Sequence, residues 1–215
     1  MAGIQTANLV YFSGTGGTAR VARHLRDAFV AQGVTVAQVA LEREQAPVAD
    51  AELLVIAYPV YAGNAPQPVG EWIAAAPEGH GTPAAVVSVS GGGEVSPNTA
   101  CRAATIRALT RKGYAVVYEA MMVMPSNFLE AYSDALNALL LRKAPEVAQG
   151  IVRDVLAGVT RRLPPLLWDR LLARLLLLEH IVSRAFGKHL KASDACTACG
   201  WCAAHCPRGN IAIEN

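Results

Sequence analysis

Five short apolar runs, separated by polar or helix-patterned stretches, constrain this chain more than any other feature. They are Asn8-Leu9-Val10-Tyr11-Phe12, Val34 to Ala40, Leu53-Leu54-Val55-Ile56-Ala57, Ala84 to Val89 and Tyr114 to Val123. Runs of Val, Ile and aromatics without polar alternation belong to strands buried on both faces, and their alternation with helices predicts a parallel sheet covered on both sides. Between the first two runs Val21, Ala22, Leu25 and Phe29 share one helical stripe, and Gly33 stops the helix. A right-handed strand-helix-strand unit follows. Ser96-Pro97 reads as an N-cap with proline at the first helical position, opening a helix that ends near Lys112-Gly113. The expected class is α/β, a small doubly wound five-stranded sheet.

After the first strand comes Ser13-Gly14-Thr15-Gly16-Gly17-Thr18-Ala19, whose glycines let the backbone curl around an anion at the start of the next helix. A Walker loop is excluded, because no Lys-Ser or Lys-Thr follows the glycines. Gly14-x-Gly16-x-x-Ala19 satisfies the short form of a dinucleotide fingerprint, with Glu42 placed to hold a ribose. The hydroxyls of Ser13, Thr15 and Thr18 suit a terminal phosphate such as that of FMN better than a bridging pyrophosphate. A plain glycine turn with capping hydroxyls is the third alternative.

Strand three ends in Pro59-Val60-Tyr61-Ala62-Gly63-Asn64, and strand four in Ser90-Gly91-Gly92-Gly93-Glu94. All three loops therefore fall at the carboxyl ends of parallel strands, where such sheets bind ligands. Tyr61 offers an aromatic face to a flat heterocycle, and the glycines allow backbone to approach ring edges. An ordinary half-buried tyrosine is the alternative for Tyr61, and Glu94 and Asn98 read as turn and helix-start chemistry.

Near the C-terminus, Cys196-x-x-Cys199-x-x-Cys202-x-x-x-Cys206-Pro207 has the spacing of iron-sulfur ligation: three thiolates for one cubane and a fourth that reaches toward another. Zinc usually takes two separated Cys or His pairs, and no second pair exists here. Cys101 stands alone as a small buried hydrophobe. With four of the five cysteines in one motif and no signal peptide in the opening residues, a cytoplasmic, reducing setting is expected.

Hydrophobic residues make up 53% of the 215 and charged ones 17%, enough for a full core, and a net charge of +2 without a basic stripe argues against nucleic acid. Beyond Pro125 the pattern turns helical, with helices expected over 133–143 and 146–162, then Pro164-Pro165 and a Leu-rich segment to Phe186. There Trp168, Leu171, Leu172, Leu175, Leu178, Val182 and Phe186 form an apolar face, expected to pack on the first domain or a neighbour. Asp169, Arg170, Arg174, Glu179 and Arg184 interrupt it too often for a membrane span. Docking on a membrane surface or partner is the alternative.

Ser13-Gly14-Thr15-Gly16-x-Thr18, Pro59-x-Tyr61-x-Gly63 and the glycines after strand four resemble flavodoxin-like FMN domains. With Ser90 to Asn98, Met124-Pro125-Ser126-Asn127 and the terminal cysteines, the whole chain resembles the flavodoxin-ferredoxin fusion family. The resemblance implies a sheet of order 2-1-3-4-5, an FMN site at the three loops and a ferredoxin domain with two four-iron four-sulfur clusters. Two departures stand out: the loop at 90–94 brings no aromatic to sandwich the flavin, and the second cysteine motif is missing. Either the chain is truncated, as Ile211-Ala212-Ile213-Glu214 suggests by resembling a strand into a second half, or Cys206 completes a single local site.

The expected organisation is an FMN domain over 1–163, a helical connector over 164–190 and a partial 4Fe-4S module over 191–215. The expected function is single-electron transfer between FMN and a cluster, with a redox protein or small acceptor as partner, self-association as a homodimer admitted, and no acid-base catalytic residues. The alternatives are an FMN-dependent reductase of a quinone or other small acceptor, and a redox-sensing interaction protein.

Overall fold

The computed structural model describes residues 3–41, 48, 50–126, 131–176, 183, 186–187, 189 and 191–213. Glu42, Asn127, Leu178, Glu179, Val182, Arg184 and Glu214, named above, lie outside these residues. Strands β1 (Thr6–Tyr11), β2 (Thr35–Ala40), β3 (Leu53–Pro59), β4 (Pro83–Ser90) and β5 (Ala115–Val123) form one sheet in the order β2-β1-β3-β4-β5. All neighbours are parallel. Residues 53–58 of β3 are buried without interruption, which explains why this strand reads as a continuous apolar run.

Helices α1 (Gly17–Ala31) and α4 (Asp134–Leu156) close one face of the sheet, while α2 (Gln67–Ala75) and α3 (Ala103–Arg111) close the other. In α1 the buried side chains include the whole expected stripe of Val21, Ala22, Leu25 and Phe29, and Gly33 follows the helix end with φ 81°. Helix α2 was not anticipated. Its signal is short: Pro68 in the first turn, then Val69, Trp72 and Ile73 as a buried stripe.

Three expected boundaries are corrected. First, the two helices expected over 133–143 and 146–162 are one, running through Pro145. Ser133 accepts from Leu136 N at 3.3 Å to cap it, and Ala144, Ala148, Ile151, Val152 and Val155 form one buried stripe across the proline. That burial offsets the roughly 3 kcal/mol an internal proline costs. Second, this helix ends at Leu156 rather than Arg162. The chain then turns at Gly158 and lays Arg161 beside Tyr118 in a parallel bridge, extending the sheet past β5. Third, Ser96 does not cap a helix. A 3-10 turn covers Asn98–Ala100, α3 starts at Ala103, and the Ser96 hydroxyl donates instead to Asp169 at 2.7 Å.

The apolar face of the Leu-rich segment does not pack on the first domain, the first of its expected arrangements. In α5 (Leu167–Leu176) the buried residues are Asp169 and Ala173, whereas Leu167, Trp168, Leu171 and Leu175 are 80, 69, 48 and 56% exposed. The Asp169 carboxylate accepts from Ser96 Oγ, Thr99 Oγ1 and Thr99 N, and Asn64 Nδ2 donates to Ala173 O at 2.9 Å. A fully hydrogen-bonded carboxylate and a small residue permit close approach to loops that a row of leucines would not fit. A last short helix, α6 (Trp201–His205), sits within the cysteine run, and Ile211–Ile213 form no strand.

Candidate functional site

The loops after β1, β3 and β4 lie side by side because these strands are neighbours in the sheet. Chain reversal at β1, between strands leading to opposite sides, opens a crevice at their carboxyl ends. Phe12 N donates to Ala57 O at 3.1 Å, Val60 N to Val89 O at 2.9 Å and Met124 N to Ser90 O at 3.1 Å, so the sheet bonding reaches into the loops.

In the first loop Ser13 Oγ accepts from Gly16 N at 3.1 Å and Ala19 N at 3.2 Å, folding the turn around that hydroxyl. Gly16 precedes α1 with φ 92°, a conformation costly for other residues, and α1 has no side-chain cap. With Ala19 N already held by Ser13 Oγ, the N–H groups of Gly17 and Thr18, at the positive end of the helix dipole, are those available to an anion. Thr15 is exposed, and Thr18 is buried in the wall of the turn.

Tyr61 and Asn64 exchange backbone hydrogen bonds at 2.9 Å, and Ala62 and Gly63 between them both have positive φ, 45° and 71°. This tight hairpin turn aims the Tyr61 ring back over the first loop. The ring meets Phe12 edge-on with centroids 6.5 Å apart, and its hydroxyl lies against Gly14 where a Cβ would stand. Tyr61 remains 43% exposed, and burial of the remainder pushes its phenol above the ordinary value. Asn64 faces away, its amide donating to Ala62 O and Ala173 O.

The glycine loop is held from several sides. Gly92 N donates to Ser90 Oγ at 3.1 Å, and Asn98 Nδ2 donates to Ser90 Oγ at 3.5 Å and Gly93 O at 3.3 Å. A Cβ on Gly92 would come within 2.7 Å of Asn98 Nδ2, and one on Gly91 within 3.0 Å of both Ser126 Cβ and the Tyr132 hydroxyl. The Tyr132 hydroxyl donates to Gly91 O. Asn98 is thus a tether for the loop rather than helix-start chemistry, and Tyr132 brings the aromatic side chain that the loop itself lacks.

Beneath this loop lies a buried ion network that the residue pattern did not announce. Glu119 is 3% exposed and Arg102 1%. Glu119 accepts from Arg102 Nε at 2.9 Å, Arg162 Nε at 3.2 Å and Leu163 N at 2.8 Å, while Arg102 also donates to Ser88 Oγ at 2.9 Å. Glu94 pairs with Arg161 at 2.7 Å and with Arg102 at 3.4 Å, so it belongs to this network and not only to the turn. Cys101 is wholly buried, as expected, and burial raises its thiol above the ordinary range.

The four motif cysteines are arranged differently. Cys196, Cys199 and Cys202 are exposed and Cys206 half-buried, and among the described residues no three His, Cys, Asp or Glu side chains are grouped to hold a metal. The Trp201 N–H, then the Thr197 hydroxyl, pull the Cys199 thiol below its usual value, and Asn210 N donates to Cys206 Sγ at 3.4 Å. The donors suit thiolate chemistry, but the sulfurs are not gathered into a site.

No protein-family model matches the chain, and none of the curated proteins compared does. Among solved structures, a variant flavodoxin from Pseudomonas aeruginosa is similar over 72% of this chain and 99% of its own, with TM-score 0.53 and 14% identity. A flavodoxin, WrbA-like protein from Agrobacterium tumefaciens covers 71% of this chain and 98% of its own, with TM-score 0.50 and 13% identity. The fold is flavodoxin-like. The strand order implied by the sequence resemblance is the one observed.

Proposed function

We propose that this chain is an electron-transfer flavoprotein that binds FMN at the three adjoining loops. The observation that carries the reading is the convergence, on neighbouring strand ends, of an uncapped helix start, three hydroxyl residues, an exposed tyrosine ring and a glycine loop. FMN, when bound, supplies one- and two-electron redox chemistry. First-turn N–H groups of α1 and the hydroxyls of Ser13 and Thr15 would hold its phosphate, with Gly14, Gly16, Gly17 and Thr18 shaping the cradle. Pro59, Val60, Tyr61, Ala62 and Gly63 would line one side of the ring system, and Ser90, Gly91, Gly92 and Gly93 the other, with Asn64 anchoring its loop to α5. Tyr61 rests on Gly14, so its ring stands beside the phosphate loop, where it would cover one face of the flavin.

As a second part of the proposal, Cys196, Cys199, Cys202 and Cys206 take up a 4Fe-4S cluster, giving the fusion organisation that the resemblance implies. Its support is the spacing and the N–H groups directed at Cys199 and Cys206 sulfur. Because the thiols stand apart, no electron path through this group is derived. The test is anaerobic purification with flavin, iron and sulfide analysis. One FMN and about four irons per chain support both parts; flavin without iron removes the cluster, and no flavin after reconstitution removes the leading reading. Thr15→Ala should weaken FMN binding by about 1 kcal/mol, the worth of one hydrogen bond.

A further inference from the structure

Arg107 from α3, Arg162 from the segment after α4, and Arg170 and Arg174 from α5 line a cavity of about 550 Å³. Glu119 is the acid on its wall, and its oxygens are already engaged by Arg102, Arg162 and Leu163 N. Among the described residues, Arg107, Arg170 and Arg174 pair with no carboxylate. Ala103 and Ala104, the uncapped start of α3, also face the cavity, so the helix dipole adds to the positive potential.

Helix α5, which supplies Arg170 and Arg174, also carries the exposed apolar ridge. At 3.6 residues per turn, Asp169 and Ala173 point into the body, Arg170 and Arg174 lie on one flank, and Leu167, Trp168, Leu171 and Leu175 point away. We propose that α5 and the arginine cavity dock this protein on an anionic phospholipid surface. The ridge enters the boundary between head groups and acyl chains, and the arginines receive lipid phosphates. Charge complementarity selects this occupant. A free small anion would use the arginines and leave the ridge in water, whereas a second copy packed on the ridge would leave the arginines without an anionic partner or, packed antiparallel, bring their like-charged flanks together. Ten residues span about 15 Å, so α5 lies on a bilayer; among the described residues no helix is long and apolar enough to cross one.

Sedimentation of the full chain with vesicles tests this. Binding is expected to phosphatidylglycerol-phosphatidylcholine vesicles, falling with salt, and not to phosphatidylcholine alone. Arg170→Gln and Arg174→Gln should each weaken it on the order of fivefold, and Trp168→Ser with Leu171→Ser should abolish it. These side chains are exposed, so an unchanged melting temperature confirms that the variants are folded. The proposal is overturned if anionic vesicles are not bound, or if the serine variant binds as well as the parent. Saturable binding of glycerol phosphate without vesicle binding identifies a free-anion site instead, and a concentration-dependent dimer lost in the serine variant identifies a second copy.

Discussion

The glycine loop after β4 and the cysteine run near the C-terminus are both short segments proposed to hold a redox group, but they are built on opposite plans. Ser90–Gly93 is tied to Asn98, Tyr132 and Met124 N and stands over the Arg102–Glu119 network. The described contacts of the cysteine run are mostly local, and Arg208 beside it makes a surface pair with Glu71 of the sheet domain at 3.2 Å, worth at most about 1 kcal/mol. One site is organised by the protein before any ligand arrives; the other leaves that task to the ligand. In the first, donors and close-packed backbone are fixed by the same bonds that stabilise the fold, so loss of stability and loss of binding should travel together. In the second they should separate.

The sharpest way to break this contrast is at Glu119. Glu119→Ala removes the closer carboxylate from buried Arg102, leaving it Glu94 at 3.4 Å, and should cost about 3 kcal/mol in a urea unfolding titration. Cys199→Ser, at an exposed position, should change stability by less than about 0.5 kcal/mol. Similar losses for the two would show that the cysteine segment is as integral to the folded body as the network. The next effect is smaller. Asn98→Ala removes the hydrogen bonds to Ser90 and Gly93 and should cost about 1–2 kcal/mol while lowering flavin affinity; thermal melts with and without FMN would separate a tethered loop from one that forms only around its ligand.

Acid provides the third test. The Thr99 and then Ser96 hydroxyls hold the Asp169 carboxyl below its ordinary value of 3.8. A depressed pKa means that this carboxylate contributes stability above about pH 4 and loses it as pH falls through the lower folded value. Hydrogen-exchange protection over 167–176, corrected for the intrinsic pH dependence of amide exchange, should therefore fall below that pH, and Asp169→Asn should flatten the profile. An unchanged profile in the variant would mean that the carboxylate does not anchor α5.

Much of the sheet was legible because its evidence is local. A strand buried on both faces must be apolar throughout, as 53–58 is, and Gly33 ends α1 by a conformation other residues avoid. The three loops could be found because topology puts ligand loops at carboxyl strand ends. The orientation of α5 could not. An amphipathic pattern tells that two faces differ, but Asp169 becomes the buried one because Ser96 and Thr99, about 70 residues earlier, supply its hydrogen bonds. Tyr132 went unread and Asn98 was given a helix-start role for the same reason, since their partners at Gly91 and Gly93 are set by tertiary structure. Pro145 misled because burial on both sides of it outweighs its local cost.

The most direct test of the central claim, an FMN cradle at the carboxyl ends of β1, β3 and β4, is a fluorescence titration of flavin into the chain with Cys196, Cys199, Cys202 and Cys206 all replaced by serine. Saturable quenching at one FMN per chain, with riboflavin binding much more weakly for want of a phosphate, is the predicted result. Absence of quenching, or equal affinity for riboflavin and FMN, would contradict it.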